Sequence, residues 1–319
     1  MPHIPVMSEE VMKWLDPKLN QNFIDCTLGG GGHSLEILRR TGPAGKLLGI
    51  DLDEGAGARL QSLIQEEGIG PDRIIFANDN FRNLTEIVRK NNFGPVHGVL
   101  LDLGFSSIEL EEGGRGLSFQ KDEPLDMRFG RLRSASVETS ADRQGFGEPR
   151  AGEITAADIV NNWDTDELES VFRKYGEEKL AKLIVNKIIK ARRGRRILTT
   201  FALRDIILEA YREKLRSKNE VPWVGGLHPA TRVFQALRMA VNDELGALKQ
   251  VLAAAAAVVA PGGRVVVISF HSGEDRIVKH FFKDSQLKIL TKKPVLPSEE
   301  ETLANPRSRS AKMRVAEKI

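Results

Sequence analysis

From Asn22 onward, short apolar runs alternate with amphipathic stretches: FIDCTL, SLEILRR, KLLGIDLD, GARLQSLIQEE, RIIFAND, LTEIVRK and VHGVLLDLG follow one another. Apolar runs of four to eight residues separated by helical periods predict βαβ units around a parallel sheet buried on both faces. The first hundred residues therefore read as half of a doubly wound α/β domain. The same grammar returns late, where ELGALKQVLAAAAAVVA predicts a long helix, PGG a stop and turn, and RVVVISF a strand. Between Glu109 and Arg216 strand-like runs are almost absent, while DELESVFRKYGEEKLAKLIVNKIIKARR and ALRDIILEAYREKLR carry apolar residues at helical spacing. The pattern predicts an α/β fold in which residues 1–108 and 217–319 form the sheet domain and 109–216 an inserted all-helical domain. Within the insertion, Arg131 to Gly152 has few large apolar residues, which predicts a mobile surface loop.

Composition narrows the class. Among 319 residues, 41% are hydrophobic and 29% charged, enough to bury a sizeable core. The longest apolar stretch, Val251 to Pro261, is mostly alanine and falls short of the roughly 20 residues of a membrane span. Without a basic-then-apolar leader either, the expectation is a cytosolic protein with no membrane partner. Cys26, the single cysteine, excludes an intrachain disulfide and any multi-cysteine zinc site. No His pair at helical spacing and no clustered carboxylates are present, so no metal is expected.

The net charge of +3 is too small to announce a partner, so its distribution matters more. Lys187 to Arg196 holds six basic residues and no acid, and Asn305 to Arg314 holds four and no acid. One such run is as readily a solvated face as a binding surface; two in one chain point to a polyanion.

After the first strand, Asp25 is followed by Gly29, Gly30, Gly31 and Gly32, with a helix beginning near His33 or Ser34. A backbone free of side chains there lets a ligand approach the carboxyl edge of the sheet, where open α/β sheets bind ligands. A plain tight turn would use the same glycines, so register decides. A dinucleotide fingerprint from Gly29 needs glycine where Ser34 stands, and one from Gly30 needs it at Leu35. NAD is disfavoured. Asp51 ends the second strand, where an acid accepts from ribose hydroxyls, with Asp53 a neighbour that can simply be solvated. Phe81 follows the third strand, either against adenine or in the core. Asp102 follows the fourth. Acids after successive strands facing a glycine loop describe a site for a cationic, adenosine-bearing ligand, which S-adenosylmethionine fits.

Seven blocks, HIPVMSEEV, DCTLGGGGHS, DLGFSSIELEEGGRGLSFQKDEPLDMRF, KYGEEKLA, HPATRVFQALRMAVNDEL, GGRVVVISFHSGEDRIVK and NPRSRSAKMRVAEK, stand in order over nearly the whole chain. In them the sequence resembles the RsmH (MraW) family. The resemblance implies a Rossmann-like core with an inserted helical domain, S-adenosylmethionine as cofactor, and N4-methylation of a cytidine in the decoding region of 16S ribosomal RNA. It implies further that Gly31, Gly32, His33, Asp51, Phe81 and Asp102 line the cofactor pocket. At Glu109 the chain departs from the glutamine usual at a further cofactor contact, and it departs again at Phe105, Ile108, Cys26 and Gly273.

Asp102-Leu103-Gly104-Phe105 has an acid and an aromatic at the spacing of the Asp-Pro-Pro-Tyr/Phe motif of amino-methyltransferases, with Ser106 next. Asp102, Phe105 and Ser106 are thus the candidate catalytic residues, though Asp102 can serve the cofactor alone and Phe105 can be core. For substrate RNA the candidates are Arg192, Arg193, Arg195 and Arg196, His228 and Arg232 at the head of an amphipathic helix, His271 after the strand RVVVISF, and Arg307 and Arg309. His228 and Arg232 could equally brace their helix. A histidine and acids after RVVVISF could suggest hydrolysis, but the chain has no G-x-S-x-G elbow. The expected partner is small-subunit ribosomal RNA or the assembled subunit, with a homodimer left open. The rivals are a DNA amino-methyltransferase and a non-catalytic RNA-binding or assembly protein.

Overall fold

The computed structural model describes residues 5–104, 114–129, 154–216, 221, 223 and 226–319. It divides into two compact units, residues 1–108 with 245–319 and residues 109–244.

The first unit is built on seven strands: β1 (Phe23–Asp25), β2 (Leu47–Asp51), β3 (Ile74–Asn78), β4 (Val96–Asp102), β5 (Val259–Ser269), β6 (Leu287–Ile289) and β7 (Lys312–Lys318). They lie in the order β3-β2-β1-β4-β5-β7-β6. The first five are parallel, and β7 pairs antiparallel with both β5 and β6. Because side chains alternate across a strand, the apolar runs feed two cores at once. Ile24, Leu48, Val99, Val265 and Val267 enter one cluster, under α4 (Leu84–Lys90), α10 (Glu244–Val258) and α11 (Ser272–Asp284). Phe23, Leu47, Leu100, Val266 and Ile268 enter the other, under α1 (Ser8–Leu15), α2 (Gly32–Thr41) and α3 (Glu54–Glu66). The sheet is doubly wound and Rossmann-like. Its connections run outward from β1 to β3 on one side and from β4 to β5 on the other, so the gap between β1 and β4 is the topological switch point, where such folds bind ligands.

The PGG segment, expected as a stop and turn before a strand, follows the helix end and lies within β5, where it bulges out. Val96 pairs with Val259 and Gly98 with Arg264, so Pro261 to Gly263 have no place in the register, and Gly262 takes the turn at φ +77°. The end of the basic run joins the sheet. Its last residues form β7, and Arg314 is buried with its guanidinium on both carboxylate oxygens of Asp275, at 2.6 and 3.1 Å.

The second unit holds α5 (Ala156–Asn162), α6 (Thr165–Lys174), α7 (Ala181–Arg192), α8 (Thr200–Leu215) and α9 (Thr231–Asn242). Capping boxes start two of them: Thr155 with Asp158, and Asp164 with Glu167. The return to the sheet unit, expected at 217, comes only at Leu245. The reason is α9, whose buried Val233, Phe234, Leu237 and Val241 pack with Ile159, Leu168 and Phe172 in the helical core. Buried Asn242 closes that helix by accepting from Phe129 N and donating to Met127 O, both at 2.8 Å. Residues 131–152, expected as a surface loop, lie outside the described residues.

Candidate active site

At the switch point the chain leaves β1 through an Asx-type turn: Thr27 N donates to Asp25 Oδ1 at 3.1 Å. Ser34, in the first turn of α2, donates from Oγ to Asp25 Oδ2 at 2.6 Å. Asp25 is only 1% exposed, and burial raises its carboxyl pKa above the usual 3.8, against the opposing pull of Ser34. Thr27 also reaches the neighbouring strand, where its Oγ1 accepts from Asp102 N at 2.7 Å. One threonine thus ties the tips of β1 and β4 together. Neither Thr27 nor Ser34 stood out in the sequence, although Asp-x-Thr beside a glycine run is a readable turn signal.

The glycine loop is held open by conformation and by contact. Gly31 sits at φ +79°, and a Cβ there would stand 3.1 Å from the Leu60 side chain. Gly29 N donates to Asp51 Oδ2 at 2.7 Å, while Asp53 N donates to Asp51 Oδ1 at 2.8 Å. Asp51 therefore stands at the tip of β2 with both oxygens anchored and further lone pairs available. Burial raises its pKa, offset in part by these two backbone donors. Asp53 is more than a solvated neighbour: it caps α3 through Gly55 N and pairs with Arg59, which in turn donates to Gly29 O at 3.3 Å.

Beyond β3, Asn78 Nδ2 donates to the carbonyls of Asp51 and Leu52, each at 3.0 Å, fixing that loop beside the tip of β2. Phe81 is half-buried and packs on the core cluster below α4.

His33 is the second residue of α2 and is 6% exposed. Its Nε2 lies 3.6 Å from Asp102 Oδ2, and neither ring nitrogen has a hydrogen-bond partner among the described residues. Asp102 Oδ1 accepts from Gly104 N at 3.3 Å, and the bare Gly104 leaves room for Phe270, whose ring would stand 2.8 Å from a Cβ at that position. Phe270, an aromatic at the end of β5, escaped the sequence reading. Phe105, Ser106 and Glu109 lie outside the described residues.

Of the RNA candidates, several prove to be engaged within the protein. Arg192 donates to the carbonyls of Val160 (2.9 Å) and Trp163 (2.7 Å), closing the end of α5. His228 stacks on Phe119 at 4.6 Å, and its Nδ1 accepts from Ala230 N at 3.1 Å; burial lowers its pKa. Arg232 donates to Glu177 O at 3.0 Å. His271 caps α11, its Nδ1 accepting from Gly273 N and Glu274 N, while Glu274 Oε2 accepts from Phe270 N. Arg193, Arg195 and Arg196 are exposed, as are Arg307 and Arg309 on either side of buried Ser308.

The residues of the switch point fit S-adenosylmethionine. A glycine cradle, an acid anchored at the tip of β2, and buried His33 beside half-buried Asp102 with unused polar atoms suit an adenosyl group, a backbone-sized approach and a sulfonium-bearing chain.

The model of the MraW methylase family matches residues 1–142 and 149–319. The chain is 41% identical to the Ribosomal RNA small subunit methyltransferase H of Symbiobacterium thermophilum, over 99% of this chain and 96% of that one. It is 40% identical to the protein of that name from Heliobacterium mobile and 38% to that from Clostridioides difficile, each over 99% of both chains. With the family model spanning both units and these relatives aligning end to end, the chain belongs to the MraW methylase family.

Proposed function

We propose that this protein transfers a methyl group from S-adenosylmethionine to N4 of a cytidine in the decoding region of small-subunit ribosomal RNA. Family membership and the name shared by its relatives support the reaction and the RNA. The observation that carries the chemistry is Asp102, at the tip of β4 in the switch point, 3.6 Å from buried His33, whose ring nitrogens have no hydrogen bond among the described residues.

The cofactor supplies an electrophilic methyl carbon on sulfur. The backbone of Gly29 to Gly32, with Asp51 toward the ribose and half-buried Phe81 toward the base, would hold it. Everything else falls to the chain. Cytosine N4 is a weak nucleophile because its lone pair is delocalised into the ring, so an acceptor for its protons must favour a pyramidal nitrogen. Asp102 Oδ2, the oxygen not taken by Gly104 N, is that acceptor, and His33 behind it holds the carboxylate in line. Holding both reactants in register contributes roughly 7 to 11 kcal/mol in the best intramolecular cases. Phe270, beside Gly104, offers a face for the base; stacking is worth about 1 to 3 kcal/mol per base.

The exposed Arg193, Arg195 and Arg196, with Arg307 and Arg309, serve the phosphates. No helix among the described residues is long and apolar enough to cross a membrane, and the reading places the protein with ribosomal subunits in the cytoplasm. Transfer of tritiated methyl groups tests it: label should enter small subunits from a strain lacking the modification. Label in duplex DNA instead would overturn it.

A further inference from the structure

On the sheet unit, α10 and α11 enclose a surface groove of about 340 Å³ lined by Lys249, Leu252, Arg276, Ile277, His280 and Phe281. Its floor is apolar, with Leu252 buried and Ile277 and Phe281 half-buried. Its rim carries two exposed cations, Lys249 and Arg276, beside exposed His280. Positions 276, 277, 280 and 281 share one face of α11, so the Arg276 cation and the aromatic ring meet by helical geometry.

The acids nearby are committed elsewhere. Glu274 is held in the His271 cap, Asp275 grips Arg314, and Glu244, the one acid of α10, bridges Arg238. Asp284 stands at the far end of α11, while Lys279 and Lys283 add positive charge along it. An aromatic and aliphatic floor under uncompensated cations suits a planar base bearing a phosphate. A volume near the lower end of small-molecule sites suits one nucleotide rather than a helix.

We propose that this groove binds one unstacked nucleotide of the RNA strand, apart from the cytidine that is methylated, with the base on Phe281 and its phosphates on Lys249 and Arg276. Placement agrees. Because α11 starts just after β5, Arg276 stands about 6 Å along the helix from the carboxyl edge that carries Asp102. The proposal rests on the RNA substrate proposed above.

Binding of the full chain to a fluorescein-labelled, single-stranded oligoribonucleotide, followed by anisotropy across a salt series, tests it. Replacing Lys249 and Arg276 together by alanine should weaken binding and flatten the slope of log K against log salt by about 1.4, at roughly 0.7 per phosphate contact. Phe281→Leu keeps an apolar side chain over the core but removes the ring. It should weaken binding at least about fivefold, within the range for a lost stack, and leave the slope unchanged. Melting temperature and calorimetric S-adenosylmethionine affinity should match wild type in both variants.

Wild-type affinity and slope in both variants, while the wild-type protein binds the RNA, would overturn the groove and leave the proposed reaction standing. Failure of the wild-type protein to bind any RNA would overturn the underlying reading as well. Variants that keep RNA affinity but lose a dimer in sedimentation would assign the groove to a second copy of the chain, against the proposal.

Discussion

His33 Nε2 stands 3.6 Å from Asp102 Oδ2, inside a cluster where Asp25 is almost wholly buried. A buried imidazole with no hydrogen bond on either nitrogen among the described residues is costly to keep, and such exceptions concentrate where function requires them. Asp102→Ala should abolish methyl transfer while the protein stays folded. His33→Asn should lower kcat by about a hundredfold, the scale of a small misplacement of a reacting group, with a lesser effect on KM. Steady-state kinetics check both, and near-normal turnover in Asp102→Ala would remove that residue from the chemistry.

Asp51 separates cofactor binding from chemistry. Its oxygens accept from Gly29 N and Asp53 N, so Asp51→Asn turns an amide donor toward one of two donors and removes the charge that strengthens contacts to ribose hydroxyls. Loss of charged hydrogen bonds worth about 1.5 to 3 kcal/mol should weaken S-adenosylmethionine binding by roughly ten- to a hundredfold. Isothermal calorimetry reads this directly, and unchanged affinity would displace Asp51 from the pocket.

Burial raises the Asp25 carboxyl pKa above 3.8, so the folded protein holds that proton to higher pH than the unfolded chain does. Its contribution to stability is therefore fully present below about 3.8 and lost as pH rises through the raised folded value. Asp25→Asn carries no such proton. Comparing chemical denaturation of the two proteins from pH 4 to 7, the balance should move toward the asparagine variant as pH rises and level off once pH passes the raised folded value. A constant difference across that range would contradict the assignment.

The arginine run should split by function. Arg192 closes α5 from within, so Arg192→Ala should lower the melting temperature and leave the salt dependence of RNA binding alone. Arg193, Arg195 and Arg196 are exposed. Replacing all three by alanine should spare the melting temperature and flatten the salt slope by up to about 2, at roughly 0.7 per single-strand phosphate contact. The opposite pattern would reverse the two roles.

What could be read from the chain depended on whether a residue's job shows in its neighbours along the sequence. Strands buried on both faces are continuous apolar runs, so Asp51 and Asp102 announced themselves where the runs stop, at the edge that binds ligands. His271 and His228 could not be resolved that way. A histidine that caps α11, or one that stacks on Phe119, has the same local sequence as one that faces a substrate. Arg192 and Arg314 looked like their exposed neighbours because the carbonyls and the Asp275 carboxylate they meet lie far off in sequence. The boundary at 217 failed for a related reason. The apolar stripe of α9 shows that the helix is buried on one side, but not which core receives it.

The proposed reaction stands on the atom that receives the methyl group. Small subunits from a strain lacking the modification, incubated with this protein and S-adenosylmethionine, should yield N4-methylcytidine on nucleoside mass spectrometry. The same subunits incubated with the Asp102→Ala variant should yield none. A methyl group on carbon 5, on a ribose oxygen or on another base, or equal N4-methylcytidine from the Asp102→Ala variant, would contradict the account.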